Sequence, residues 1–323
     1  MKNIWNHTGF TLGIVLLAAA CLGGSHTQLS EQESVKSEIA SPTMAPNVPS
    51  VATFAGEELD LTRYDLRERM DRELMSFTYT HSTTMLMIKR ANRYFPVIEP
   101  ILKANGIPDD FKYLMVIESN LNTLARSSAG AAGLWQFMPE TGKQFGLEVN
   151  NNIDERYHVE KATVAACKYL KQAYGRYNNW LSVAASYNAG QGRISGELTK
   201  QLADRAVDLW LVEETSRYMF RILAARMVIG EPQRYGFLLK REQLYPPLHY
   251  REVTVTKGIA SLADFAKQNG ITYRELKDAN PWLRQTNLEN KSGRTYKLLI
   301  PSQESMYYDP RQIRPHEKNW VIN

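Results

Sequence analysis

The chain has 323 residues, a formal net charge of +5, and 43% hydrophobic residues. This length can hold one sizeable domain and a small second one, and the composition is that of a globular protein rather than a collagen or a disulfide scaffold. The mild basic charge is compatible with an anionic polymer, but no lysine and arginine run indicates nucleic acid, so we expect no such partner. The six histidines lack the spacing of metal ligands, and we expect neither a metal nor a cofactor.

The N-terminus has the pattern of a targeting segment. Lys2 precedes an apolar run over residues 10–20 that is short for a membrane span. The run ends in LAAAC at residues 17–21, which resembles a bacterial lipoprotein signal cleaved just before the cysteine. We therefore predict a signal peptide over residues 1–20 and a lipid anchor on Cys21, with an ordinary secretory signal as the alternative.

The next segment, residues 21–53, is rich in Ser, Thr, Glu, Gln and Pro and predicts a flexible linker. From residue 59 the apolar spacing becomes helical. The second cysteine, Cys167, lies in an alanine-rich helical pattern over residues 162–174, and we interpret it as a small core residue.

The most informative stretch runs from residue 106 to residue 139. Pro108 followed by two aspartates predicts a helix start, and Glu118 shares the helical stripe of the apolar side chains that follow. These apolar side chains are Phe111, Leu114, Met115 and Leu121. Burial of a carboxyl group raises its pKa, so Glu118 is a candidate general acid; the alternative is a structural carboxylate held by hydrogen bonds.

A run of small residues follows, with Ser127, Gly130 and Gly133 among alanines, and it ends in LWQFMP at residues 134–139. Small residues followed by aromatic and amide groups suit a groove wall that a sugar approaches closely. A buried loop beneath a helix is the alternative interpretation.

Several separated motifs in this order resemble the family 1 lytic transglycosylases, and among them the membrane-bound lytic murein transglycosylase D group. The motifs are Glu118-Ser119, Ser127, GAAGLWQFMP at residues 130–139, Asp154-Glu155-Arg156, and SYNAG at residues 186–190. The ordered set over residues 54–236 is far more specific than any one motif. The spacing predicts a last long helical region over about residues 198–229. It contains Glu213-Glu214-Thr215 and Tyr218, which also resemble this group and to which we assign no chemistry.

This resemblance implies a mainly α fold, with a lysozyme-like helical catalytic domain of the goose-type and soluble lytic transglycosylase kind over residues 54–236. It implies that Glu118 is catalytic and that Ser127, Gln136, Met138, Tyr187 and Asn188 bind substrate. Ser127 is expected to bond Glu118 or the substrate acetamide, and Tyr187 to orient Glu118. We expect both contacts to favour the protonated carboxyl group.

A second unit begins near residue 251. The spacing predicts a strand over residues 253–256, helices over 261–269 and 272–279, and a closing strand over 296–300. This βααβ order over residues 251–301 resembles a LysM module, which implies glycan binding, although the loop at Gly258 lacks the aspartate usual in that family. A structural appendage is the alternative, and residues 302–323 are expected to be a loosely held tail.

The resemblance implies peptidoglycan glycan strands as substrate, cut without water between N-acetylmuramic acid and N-acetylglucosamine to leave a 1,6-anhydromuramoyl end. Glu118 would act first as acid and then as base, and cleavage could be internal or from strand ends. One rival is a lysozyme-like hydrolase that uses Asp154 or Glu155 as its second carboxylate, although an ion pair with Arg156 is the better interpretation. The other is a non-catalytic wall-binding lipoprotein.

A murein enzyme with a lipid anchor suits the periplasmic face of the outer membrane in a Gram-negative cell. Such a location also implies other cell-wall enzymes as partners.

Overall fold

The computed structural model describes residues 44–291 and 293–322, so Cys21 and the predicted signal peptide lie outside the described residues. The described part is mainly helical, which confirms the predicted fold class. The helices are α1 (Tyr64–Tyr79), α2 (His81–Ala104), α3 (Phe111–Ser119), α4 (Pro139–Gln144), α5 (Val159–Tyr177), α6 (Trp180–Ala189), α7 (Gln191–Gln201), α8 (Glu213–Gly230), α9 (Leu262–Gln268), α10 (Tyr273–Ala279) and α11 (Gln303–Met306). In this part of the chain, no helix combines the length and hydropathy needed to cross a membrane.

A short β-hairpin precedes the helices and was not predicted. Strands β1 (Val51–Phe54) and β2 (Glu57–Asp60) pair antiparallel, and Ala55 and Gly56 turn the chain with φ of +54° and +82°. Two positive φ angles in a two-residue loop match the twist of a tight hairpin. The hairpin supports the start of α3, because the Ala55 amide donates to a carboxylate oxygen of Asp110 at 2.7 Å.

Helix α3 is the central helix and is buried on almost every face. It begins at Phe111, later than the predicted start at Pro108, and ends at Ser119 because Asn120 and Leu121 take left-handed φ angles of 50° and 56°. Leu121 therefore lies beyond the helix, although it is buried as expected. A helix that is apolar all round belongs in a core, which leaves a charged side chain on it few positions other than a cleft.

The last helical region before residue 236 is more broken than predicted. The single helical region expected over residues 198–229 consists of α7 and α8, because Leu202 adopts a left-handed φ of 53° and ends α7. Helix α5, in contrast, continues through Gly175 and ends at Tyr177. Helix α8 packs against α3, α1 and α6 and is therefore in contact with the central helix along one face.

The predicted βααβ unit is present. Strands β3 (Tyr250–Val255) and β4 (Tyr296–Pro301) pair antiparallel, with Tyr250 opposite Pro301 and Val255 opposite Tyr296. Helices α9 and α10 lie between them in sequence, each with a hydroxyl side chain accepting a backbone N–H at its N-terminus. We call residues 251–301 the LysM-like domain.

The tail is not loosely held, contrary to our expectation. Ile313 and Trp320 are fully buried, and the Trp320 ring packs against Phe95 of α2 with centroids 5.9 Å apart. The amide of Ile322 donates to the Leu239 carbonyl at 2.8 Å, and the His316 ring bonds Glu99 at 2.9 Å. The polar composition of the tail concealed two large apolar side chains that anchor it to the core.

Candidate active site

Glu118 is the half-buried carboxyl group near the end of α3. Its Oε1 accepts a short hydrogen bond from the hydroxyl of Tyr218, which lies on α8 and is itself buried. Two packed helices therefore hold the candidate acid and its donor against each other, and neither side chain depends on a flexible loop for its position.

The surroundings raise the pKa of Glu118 to about 7. Burial is the main cause, and the negative charge of Glu214 adds to it, whereas the Tyr218 hydrogen bond and the positive charge of Arg221 act in the opposite direction. We expected hydroxyl contacts to hold the proton on this carboxyl group, and that expectation is wrong. A phenol that donates to the carboxylate favours the charged form, so the rise comes from burial, with a smaller contribution from the charge of Glu214.

Tyr187 lies close to this pair, but it does not bond Glu118. Its hydroxyl donates to the Trp135 carbonyl at 2.7 Å. Burial raises its pKa well above the usual range, and the negative charge of Glu118 raises it further. The orienting hydrogen bond that we assigned to Tyr187 is made by Tyr218, and Tyr187 instead fixes the loop that follows Gly133.

Asn188, the next predicted substrate residue, is half-buried at the end of α6. Its Oδ1 accepts a hydrogen bond from the Thr215 hydroxyl at 2.8 Å. Thr215 lies one helical turn before Tyr218 on α8. The structure thus places Asn188 beside the same helix that supplies the donor to Glu118.

The predicted groove wall is the loop over residues 127–138. The amide group of Gln136 donates to the carbonyls of Ala125 and Gly133, at 3.2 and 2.7 Å, while its backbone adopts a positive φ of 48°. Met138 is exposed, and the Ser127 Oγ accepts from the Ala131 amide at 3.0 Å rather than bonding Glu118. Gln136 therefore stabilises the loop internally.

A buried ion pair lies beneath this loop. Arg156 pairs with both carboxylate oxygens of Asp154, at 2.9 and 2.7 Å, and donates from its remaining terminal nitrogen to the carbonyls of Gly130 and Phe137. The predicted Asp154–Arg156 ion pair is thus present. A guanidinium group with this fork of donors can hold two separate carbonyls and a carboxylate at the same time.

Gly133 is required where the loop crosses this segment. A Cβ atom on Gly133 would lie 1.9 Å from the Arg156 carbonyl oxygen, and its φ of +77° already favours glycine. The loop can approach the backbone of residue 156 only because no side chain separates them.

Glu118 was predicted from the sequence, whereas the hydrogen bonds that Tyr218 and Arg156 donate in this region were not. Tyr218 was noticed only as part of a resemblance, and its spacing of 100 residues from Glu118 carries no local signal. Arg156 was assigned to an ion pair, but its two loop carbonyls could not be deduced from spacing. In the described residues, no group of three or more His, Cys, Asp or Glu side chains is arranged to hold a metal ion.

Two family profiles match this arrangement. Residues 74–206 match the transglycosylase SLT domain, and residues 251–304 match the soluble lytic transglycosylase C-terminal LysM-like domain. The chain therefore carries an SLT domain followed by a LysM-like domain, which confirms the resemblance drawn from its motifs.

Individual relatives agree with these profiles. The membrane-bound lytic murein transglycosylase D of Escherichia coli (strain K12) is 29% identical over 260 residues, which cover 78% of this chain and 56% of the relative. A putative soluble lytic murein transglycosylase of Haemophilus influenzae is 30% identical over 151 residues, which cover 43% of this chain and 25% of the relative. The chain thus spans about half the length of the first relative.

Among solved structures, an inactive variant of the lytic transglycosylase Slt from Pseudomonas aeruginosa matches with 27% sequence identity and a TM-score of 0.35. The match covers 42% of this chain and 24% of that one.

Proposed function

We propose that this protein is a peptidoglycan lytic transglycosylase that cuts the β-1,4 bond between N-acetylmuramic acid and N-acetylglucosamine. The SLT and LysM-like profiles and the similarity to murein transglycosylases support this class of reaction. The observation that carries the mechanism is the half-buried Glu118, with its pKa near 7 and a phenol donor fixed against it.

In the first step, Glu118 protonates the glycosidic oxygen as the bond to the anomeric carbon of the muramoyl residue breaks. A general acid works best when its pKa lies near the working pH, and a pKa of about 7 keeps roughly half of the Glu118 groups protonated at neutral pH. The N-acetylglucosamine end leaves with that proton as an alcohol.

In the second step, the ionised Glu118 takes the proton of the muramoyl 6-hydroxyl, whose oxygen bonds to the anomeric carbon. The product is a 1,6-anhydromuramoyl end, and the enzyme returns to its protonated state without consuming water. The intramolecular hydroxyl has a high effective concentration, which replaces a second carboxylate as activator of the nucleophile. In the ionised state, the Tyr218 phenol and the charge of Arg221 stabilise the carboxylate.

The hydrolase alternative that uses Asp154 or Glu155 finds no support in the geometry. Both Asp154 oxygens are bonded to Arg156, and Glu155 is buried, accepting from the Glu148 amide and from Lys161. A general base that activates water needs an available lone pair facing the substrate. These two carboxylates therefore serve the loop structure.

The second candidate function is hydrolysis of the same bond, with a different carboxylate as the base. Glu214 is exposed in the first turn of α8, and its negative charge makes a minor contribution to the raised pKa of Glu118. A carboxylate on this side of the site could activate a water molecule, which would make the enzyme a muramidase.

The products of digestion separate these candidates. We would incubate the protein from residue 22 onward with purified murein and weigh the soluble products by mass spectrometry. Anhydromuramoyl ends that disappear with Glu118→Gln and persist with Glu214→Gln are the expected result. Reducing ends that require Glu214 would establish the hydrolase, and binding without any product would leave a non-catalytic wall-binding protein.

We also propose that the protein resides in the bacterial cell envelope, lipid-anchored through Cys21 on the periplasmic face of the outer membrane. The LAAAC sequence and the similarity to a protein described as membrane-bound support this location. Palmitate labelling in cells that express the full chain tests it. Label that is incorporated by the native chain and lost in Cys21→Ser is expected, and equal labelling of both would exclude the anchor.

A further inference from the structure

The LysM-like domain is joined to the catalytic region by backbone pairing. Ile153 and Leu283 form an antiparallel bridge, the Asp154 amide donates to the Trp282 carbonyl at 2.9 Å, and the Arg284 amide donates to the Asn152 carbonyl at 2.9 Å. Backbone hydrogen bonds in a ladder set the register of two segments to one residue. Residues 152–154 and 282–284 therefore pair in a fixed register through one β-bridge and its flanking hydrogen bonds, and we call this pairing the seam.

Side chains extend the seam on both sides. Asn152 donates to Asn287 at 3.1 Å and accepts from the Glu289 amide at 3.1 Å. The guanidinium carbon of Arg284 lies 4.4 Å from the centroid of the Tyr157 ring, within the range of a cation–π contact. These contacts use polar groups of the segment from 282 to 289, so this segment is bound to the catalytic region.

The apolar core of the LysM-like domain also crosses the seam. Its buried cluster includes Ile153, Tyr157 and Ala132 from the catalytic region, packed with Leu262, Leu283 and their neighbours. Ala132 belongs to the loop over residues 127–138 and is completely buried. The LysM-like domain thus touches the predicted groove wall directly.

An indirect connection reinforces this contact. The seam residue Asp154 orients Arg156, and Arg156 binds the carbonyls of Gly130 and Phe137 on either side of Ala132. A displacement of residues 152–154 therefore moves Arg156 and the loop together. Because interiors are close-packed, such a shift is transmitted rather than absorbed.

We propose that the LysM-like domain is a positioning element for the loop over residues 127–138, in addition to any affinity that it has for glycan. The proposal rests on the proposed function, because the loop carries Gln136 and Met138 of the substrate groove. The seam keeps this wall in place against Tyr187, which bonds the Trp135 carbonyl and senses the charge of Glu118. Arg284 and Gln285 are the exposed positioning residues of the seam. A flexible tether that only increased wall affinity would require none of these contacts.

The test uses the full chain with the double substitution Arg284→Ala and Gln285→Ala. Both side chains are exposed, and their removal deletes the contact with Tyr157 and the 3.0 Å hydrogen bond to the Asn151 carbonyl. The matched control is Arg274→Ala, because Arg274 is exposed in the same domain and pairs with Asp278 one turn later on α10, away from the seam. Thermal unfolding checks that all variants are folded, and Gln285→Ala alone is available as a milder change.

Two readouts are measured. Hydrogen exchange should show faster exchange across residues 127–138 in the double variant and no change in Arg274→Ala. The kcat on a soluble tetrasaccharide of alternating N-acetylglucosamine and N-acetylmuramic acid should fall about tenfold, because a small misplacement of a groove wall costs rate. Sedimentation with purified sacculi should show unchanged wall binding.

Unchanged hydrogen exchange in residues 127–138 and unchanged kcat in the folded double variant would overturn the proposal, as would a loss confined to sacculus binding.

The hydrogen-exchange measurement remains informative if the native protein forms no anhydromuramoyl product. In that case the proposed function fails, while the coupling between the seam and the loop is still measured.

Discussion

The Tyr218 hydroxyl donates a hydrogen bond to Glu118 across the contact between α8 and α3, although the two residues are 100 positions apart in the sequence. This hydrogen bond stabilises the ionised carboxylate, whereas burial of the same group favours its protonated form. This opposition suits the proposed role of Glu118, in which the group releases a proton in the first step and takes one back in the second. Substitution of Tyr218 removes the hydrogen bond, and substitution of Glu118 removes the titrating group, so the two effects can be measured separately.

Tyr218→Phe should lower kcat and raise the pKa of Glu118. Loss of a hydrogen bond to a charged group costs about 1.5–3 kcal/mol, which predicts a decrease in kcat of about one to two orders of magnitude. Because the donor that favoured the carboxylate is gone, the alkaline limb of the kcat/KM profile should move to higher pH. The pH dependence of product formation measures both effects.

Tyr187→Phe is the matched comparison, because it removes a phenol that bonds the Trp135 carbonyl and not Glu118. We expect a loss of about 1–3 kcal/mol in transition-state stabilisation without an upward displacement of the alkaline limb. Equal displacement in both variants would contradict the assigned roles.

The raised pKa of Glu118 also predicts a pH-dependent stability. An ordinary glutamate titrates near 4.5, and this one titrates at about 7 in the folded protein. Folding therefore binds a proton between these values, so the free energy of unfolding contributed by this group falls as pH rises from 4.5 to 7.

Glu118→Gln removes that titration and should be more stable than the native protein by about 1–3 kcal/mol at pH 8, with little difference at pH 4. Urea denaturation at both pH values measures this difference. Glu140→Gln is the control, because it makes the same substitution at a side chain that is 84% exposed. A native protein as stable as Glu118→Gln at pH 8 would argue against the raised pKa.

Gly133→Ala should damage the loop severely. The new Cβ would meet the Arg156 carbonyl oxygen at 1.9 Å, and alanine is strained at a φ of +77°. We expect a loss of more than about 3 kcal/mol in the free energy of unfolding, or rearrangement of the loop with loss of activity.

Gly130→Ala provides the comparison within the same loop. Gly130 has a φ of +93°, but apart from its chain neighbours no atom of the described residues lies within 4 Å of its added Cβ, so backbone strain of about 1–3 kcal/mol is expected. Guanidinium denaturation of both variants measures the difference. Equal losses would show that the close approach to residue 156 is unimportant.

The C-terminal tail should be essential for stability. Trp320→Ala removes a completely buried ring that packs on Phe95 and should cost about 3–5 kcal/mol in the free energy of unfolding. Tyr307 is 75% exposed, and Tyr307→Ala should change stability by less than about 0.5 kcal/mol. Chemical denaturation monitored by circular dichroism distinguishes an anchored tail from a loose one.

Local patterns in the sequence were sufficient for several elements. The βααβ unit and the helix that carries Glu118 were both predicted, since each depends on residues that are neighbours in the chain. The hairpin at residues 51–60 and the break at Leu202 were missed. Four-residue strands have too few positions for a period, and a leucine in the left-handed region is not a recognised stop signal.

The sequence by itself determined that a carboxyl group lies on an apolar helix stripe, and that small residues, an amide and an aromatic follow it. Tertiary structure alone decided that Tyr218 rather than Tyr187 bonds Glu118, that Arg156 binds the loop, and that the tail is anchored by Trp320. The physical reason is the distance along the sequence between the interacting residues. Helical and strand periodicity report interactions within a few residues, whereas the pKa of Glu118 depends on packing with residues about 100 positions away.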